Sequence, residues 1–149
     1  MATMLGHAEK MLRGEVPPPP ITRLLGFVVK SVEPGRAVFE MEVDERHHNP
    51  MGTLHGGVYC DLADAAMGYA YAATLGEGET FTTVELKINF LRAVRKATLT
   101  AEASSSWTAS ASTWRKARPC ASARQRHGPG GTTPMRRCTS SASSTGPTA

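Results

Sequence analysis

Asn49-Pro50-Met51-Gly52-Thr53-Leu54-His55-Gly56-Gly57 runs straight into Val58-Tyr59-Cys60-Asp61-Leu62-Ala63-Asp64-Ala65-Ala66. No other stretch limits the fold of this chain as much. Pro50 pushes Asn49 toward extended backbone, so a loop precedes the alanine-rich segment. From about Gly56 to Leu75 the pattern is helical, with Val58, Leu62, Ala65, Ala66, Tyr69 and Ala73 recurring on one face. At 1.5 Å per residue this helix would be about 28 Å long, and its alanines allow close approach to a sheet. Gly76 and Gly78 end it. The first N–H groups of such a helix lack intrahelical partners. An acid, Asp64, follows two turns in. The layout can aim backbone N–H groups and a carboxylate at one small electrophilic carbon.

Strands are expected on both sides of the helix. Residues 24–31 read as one strand, Glu33-Pro34-Gly35-Arg36 as a turn, and residues 37–43, which alternate apolar and acidic, as its hairpin partner. Residues 80–91 give the clearest strand pattern, with Val84, Leu86, Ile88 and Phe90 on one face. Residues 97–103 begin another. Ahead of these lie a short amphipathic helix at residues 4–13 and a stiff spacer at Pro17 to Pro20. A hairpin, a long helix and further strands describe an α+β chain, an antiparallel sheet wrapped around one long central helix.

The charge divides sharply. Residues 1–103 hold all 13 acids and 10 of the 17 Lys and Arg, for a net charge of −3; residues 104–149 hold 7 basic residues and no acid. That tail contains no Val, Ile, Leu, Phe or Tyr, and 17 of its 46 residues are Ser or Thr. Ordering the backbone costs roughly 1–2 kcal/mol per residue, which this composition cannot offset by burial, so disorder is expected from Ser104. The high pI arises there and says nothing about partners of the folded part. Cys60, Cys120 and Cys138 lack metal-type spacing and suggest no disulfide framework, which fits a reducing cytoplasm. No signal peptide and no membrane-spanning run is read.

Asn-Pro-x-Gly-x-x-His-Gly-Gly, an acid nine residues after the His, and Thr83-Val84-Glu85-Leu86-Lys87-Ile88-Asn89-Phe90-Leu91-Arg92 together resemble the hotdog-fold thioesterases. Among them the resemblance is to the PaaI-like phenylacetyl-CoA thioesterases, over about residues 22–103. It implies a hotdog fold paired into homodimers or homotetramers, with active sites shared across the dimer interface. It also implies hydrolysis of an acyl-CoA, of small or aromatic acyl group, without metal or redox cofactor. It places the catalytic carboxylate on Asp64, the oxyanion amide on Gly56, the family's asparagine on Asn49 and its histidine on His55. The strand hydroxyl falls on Thr83, with Thr82 as the neighbouring alternative.

These residues suit that chemistry. Gly56 and Gly57 let a substrate approach the backbone closely at a helix N-terminus, where the macrodipole is positive. Asp64 can act as nucleophile or as the base that activates water. Asn49 can orient the thioester or merely form an Asx-Pro turn, and His55 is expected to fix the loop. Thr83 can hold Asp64 or its water. Asp61, one turn earlier, is the competing acid. Lys87, Arg92, Arg95 and Lys96 are placed to meet CoA phosphates or to form a solvated basic turn. His47 and His48, adjacent on an extended loop, point apart, so no metal is assigned. The alternative functions are a non-catalytic acyl-CoA-binding module and a hotdog dehydratase or hydratase.

The resemblance stops at residue 103, where two more strands are expected. The chain is read as an N-terminal segment (1–21), a hotdog domain (22–103) whose C-terminal strands are missing or scrambled, and a tail (104–149) that is disordered or frameshifted. A nucleic-acid-binding tail using Trp107 and Trp114 is the less favoured reading, so neither nucleic acid nor membrane is expected as a partner.

Overall fold

The computed structural model describes residues 3–105, 119–127 and 131–133. Helix α1 (Met4–Leu12) and helix α2 (Pro20–Leu25) lead into strands β1 (Phe27–Glu33) and β2 (Arg36–Val43). A 3₁₀ turn (Glu45–His47) precedes the central helix α3 (Gly56–Ala72), and strands β3 (Ala97–Ser105), β4 (Pro119–His127) and β5 (Gly131–Thr133) complete the order. The five strands form one antiparallel sheet in sequence order, with α3 packed on it.

Alternation sets which face meets the helix. In β2, Ala37, Phe39, Met41 and Val43 are buried, and they register with Ala103, Ala101, Leu99 and Ala97 of β3. Phe39 and Val43 stand opposite alanines, and the buried face they share with Met41 and Leu99 packs against Leu62, Ala66 and Ala70 of α3. Burying each of Phe39, Met41 and Leu99 contributes about 1.5–3 kcal/mol. The β1–β2 turn also serves the helix. Gly35, at φ 80°, donates its N–H to the Ala70 carbonyl at 3.0 Å, near the end of α3 where carbonyls lack intrahelical partners.

Several expectations change. Residues 24 and 25 are helical, because Pro20 sits in the first turn of α2 and Gly26, at φ 75°, closes it; β1 starts only at Phe27. The buried face of α3 runs through Tyr59, Met67 and Ala70 as well as Leu62 and Ala66, and the helix ends at Ala72. Residues 80–91 form no strand despite their alternation. A strand needs a neighbour to bond, and this segment joins neither open edge of the sheet, β1 or β5. Leu86 and Ile88 still pack against the core, while Val84 is 89% exposed.

Beyond residue 103, β3 runs to Ser105, and the described backbones of β4 and β5 pair in turn. Ladder bonds are made by backbone groups, so an open β3 edge can be paired by a sequence without aliphatic side chains. The remainder of the expected disorder, and both tail tryptophans, lie outside the described residues.

Candidate functional site

The loop before α3 is held by polar groups of its own and by backbone carbonyls of the segments on either side. Asn49 Oδ1 accepts from the N–H groups of Met51 (3.0 Å) and Thr53 (3.2 Å), while its Nδ2 donates to Thr53 Oγ1 at 2.9 Å. The Asn49 side chain therefore closes an Asx-type turn, and both its ends are engaged within the loop. His47, 6% exposed, donates from Nε2 to the Leu25 carbonyl (3.0 Å) and accepts the Asp44 N–H at Nδ1 (3.1 Å). His48 donates from Nε2 to the Arg95 carbonyl at 2.7 Å. The two rings are thus committed to different backbone partners. Backbone bonds from Leu54 to Val94 (2.7 Å) and from His55 to His47 (2.8 Å) complete the frame.

That frame delivers His55 as the N-cap of α3. Its Nδ1 accepts the Gly57 N–H at 2.9 Å, the loop-fixing role expected of it. The Gly57 donor is thereby occupied. Gly56 stands at the first helical position, and no acceptor among the described residues takes its N–H. The Phe90 ring lies against it: a Cβ at position 56 would sit 3.0 Å from Phe90 Cζ. Tyr59 faces the same ring, with centroids 5.6 Å apart. Its hydroxyl is enclosed without a partner among the described residues, and burial pushes its pKa up. A cleft of about 360 Å³ opens here, lined by Asn49, Gly56, Tyr59, Phe90, Leu91 and Arg92 among others. Arg92 is thus brought to the Gly56 end; Lys87 is exposed and is not part of this cleft.

Asp64 lies elsewhere. Eight residues along α3 place it about 12 Å from Gly56 by helical rise. Its Oδ1 accepts a hydrogen bond from Thr83 Oγ1 at 2.8 Å, so the extended segment after α3 reaches back to the helix acid. Thr83, not Thr82, makes this contact. Asp61 is exposed, whereas Asp64 is half-buried. Asp64 and Thr83 border a groove of about 160 Å³ whose other walls include Met4, Gly68, Tyr69, Ala72 and Phe81. Burial and the Asp61 charge push the Cys60 thiol up, holding it in the protonated, weakly nucleophilic form.

One chain therefore presents two separate parts: an unengaged helix N–H beside an aromatic wall, and a carboxylate held by a hydroxyl at the mouth of an apolar groove. A dipole-backed N–H can stabilise a developing oxyanion, and a positioned carboxylate can attack or deprotonate water. Sequence reading missed Tyr59, Phe90, Gly68, Phe81 and Met4 as walls of these clefts. Only Tyr59, three residues before Leu62, carried a legible signal, the helical period itself.

Residues 51–113 match the thioesterase superfamily. A 1,4-dihydroxy-2-naphthoyl-CoA hydrolase of Listeria monocytogenes is 37% identical over 79 residues, which cover 53% of this chain and 64% of that protein. The chain spans less than two thirds of the length of the curated relatives it matches first. A thioesterase family protein from Silicibacter pomeroyi superposes with a TM-score of 0.66 at 26% identity, covering 78% of this chain and 82% of that one. The E. coli PaaI protein from the phenylacetic acid degradation operon gives 0.61 at 25%, covering 80% and 83%.

Proposed function

We propose, from the premise that the chain carries a thioesterase-superfamily domain in the hotdog fold, that it hydrolyses an acyl-CoA thioester of small or aromatic acyl group. The observation that carries this reading is the 2.8 Å bond from Thr83 to Asp64, which fixes a half-buried carboxylate and leaves its second oxygen for chemistry. The Gly56 N–H, unengaged at the head of α3, supplies the complementary donor.

In this reading the thioester oxygen accepts from Gly56 N–H, and that bond strengthens as negative charge develops. Asp64 either attacks the carbonyl carbon, forming a mixed anhydride that water then opens, or takes a proton from attacking water. In both cases the carbon–sulfur bond breaks, the thiolate leaves as CoA and takes up a proton, and one water is consumed to give the free acid. About 12 Å of helix separates the two groups within a chain. The site is therefore assembled from Gly56 of one protomer and Asp64 of its partner, in a homodimer or homotetramer. Asn49 and His55 act by holding the loop that aims Gly56. Arg92, at the Gly56 cleft, meets a CoA phosphate.

The test is a thiol-release assay over a panel of acyl-CoAs. Asp64→Asn should abolish turnover while acyl-CoA still binds, as measured by calorimetry. An Asp64→Asn protein with undiminished turnover sinks the mechanism. A wild-type protein that binds acyl-CoA and never releases thiol identifies a binding module instead. Gly56→Pro is the matching probe. Proline is tolerated at the first helical position, and His55 at ψ 136° already has the backbone a following proline requires. It deletes one N–H but also adds a Cβ against Phe90, so Gly56→Ala, which adds the Cβ and keeps the N–H, is its control, and kcat of Gly56→Pro should fall about 10²–10³-fold below that control.

A further inference from the structure

We propose that α1 is part of the acyl pocket: Met4, with Gly68 and Phe81, sets the largest acyl group that the Asp64 groove admits. This rests on the thioesterase reading above and names the residues that decide specificity within it.

The groove is walled by elements far apart in sequence. Gly68 comes from the C-terminal third of α3, Phe81 from the extended segment that carries Thr83, and Met4 from the first residue of α1. Met4 is not a loose end. Positions 4, 8 and 11 fall on one helical face. Ala8 is fully buried and Met11 nearly so, and the Tyr69 hydroxyl donates to Met11 Sδ at 3.9 Å. Tyr69 is itself set edge-on to core Phe39, centroids 5.3 Å apart. Thr3 caps the helix by accepting the Gly6 N–H at 3.2 Å. The packing that docks α1 thus carries Met4 to the groove.

The opposite wall is equally constrained. A Cβ at position 68 would lie 3.3 Å from Phe81 Cζ, and Phe81 is edge-on to Tyr71 at 5.7 Å. Glycine at 68 therefore keeps open the space between helix and ring. The groove holds about 160 Å³. An apolar cavity of about 150 Å³ accepts one benzene-sized molecule. With Asp64 and Thr83 at its mouth, the groove fits a short or single-ring acyl group, and a longer chain meets Met4.

Two variants test this on the full chain, by kcat/KM for straight-chain acyl-CoAs from acetyl to dodecanoyl and for benzoyl- and phenylacetyl-CoA. Met4→Ala should raise the decanoyl-to-butanoyl ratio about tenfold, the usual effect of a methylene-scale change in an apolar pocket. Gly68→Ala should lower the phenylacetyl-to-acetyl ratio by about the same factor. Alanine favours a helix interior over glycine, and an unchanged melting temperature of Gly68→Ala separates that loss from one of folding. Unchanged acyl profiles in both variants overturn the inference and leave the thioesterase reading standing. A wild-type protein that releases no thiol from any member of the panel overturns both.

Discussion

Thr83 lies in a segment with no strand pairing, yet its hydroxyl reaches Asp64 across nineteen positions of chain. If the bond orients the carboxylate, Thr83→Val should lower kcat about tenfold, near 1.4 kcal/mol of transition-state stabilisation. Thr83→Ser should restore most of it, with KM little changed in either. Equal activity in Thr83→Val and wild type would make the contact incidental. A second residue, Asp44, fixes how the loop frame responds to acid. Hydrogen bonding from the Arg46 side chain, aided by the Arg46 N–H and nearby positive charge, holds the Asp44 carboxyl down at about 2. The folded-state value lies below the ordinary one near 3.9, so this stabilisation is complete above roughly pH 4 and is lost as pH falls through about 2. The difference in melting temperature between wild type and Asp44→Asn should therefore be constant at neutral pH and vanish toward pH 2.

At the scale of elements, the loop before α3 and the β1–β2 turn are two places among the described residues where backbone geometry is tightly specified. Asn49 satisfies two backbone N–H groups and the Thr53 hydroxyl. Asn49→Ala leaves those groups without their partner and should cost about 1–3 kcal/mol in urea denaturation. Activity would fall with it, since the same loop presents Gly56. Gly35 combines a φ of 80° with a bond to the α3 carbonyl of Ala70. A side chain there pays the left-handed penalty, so Gly35→Ala should lose about 1–2 kcal/mol while leaving the acyl profile of the groove unchanged. The hairpin and α3 were legible because alternation, Pro-Gly turn chemistry and a 3.6-residue period are local. Residues 80–91 carry the same alternation without becoming a strand, since pairing is a property of two segments.

For the whole molecule, the separation of Gly56 from Asp64 along one helix has a consequence for assembly. Mixing unfolded Gly56→Pro and Asp64→Asn chains and refolding them together should restore about one quarter of wild-type activity, because half the dimers are mixed and each holds one intact site. No recovery would place both groups in one protomer or remove them from the chemistry. The composition break at Ser104 bears on stability at the same scale. A version read in the adjacent frame beyond Ser104 should put alternating aliphatic side chains on the strands that follow β3 and raise the melting temperature; a frame without such alternation refutes the slip. The sequence by itself determined the α+β order and where α3 starts, because alternation, turn chemistry and helical period act within a few residues; that Asp64 and Thr83 belong together was implied by the resemblance to the hotdog thioesterases. Only the tertiary structure decided that Phe90 lies on Gly56 and that Met4 walls the groove at Asp64. Those facts depend on segments separated by tens of residues being packed together, and no local pattern encodes the distance between them.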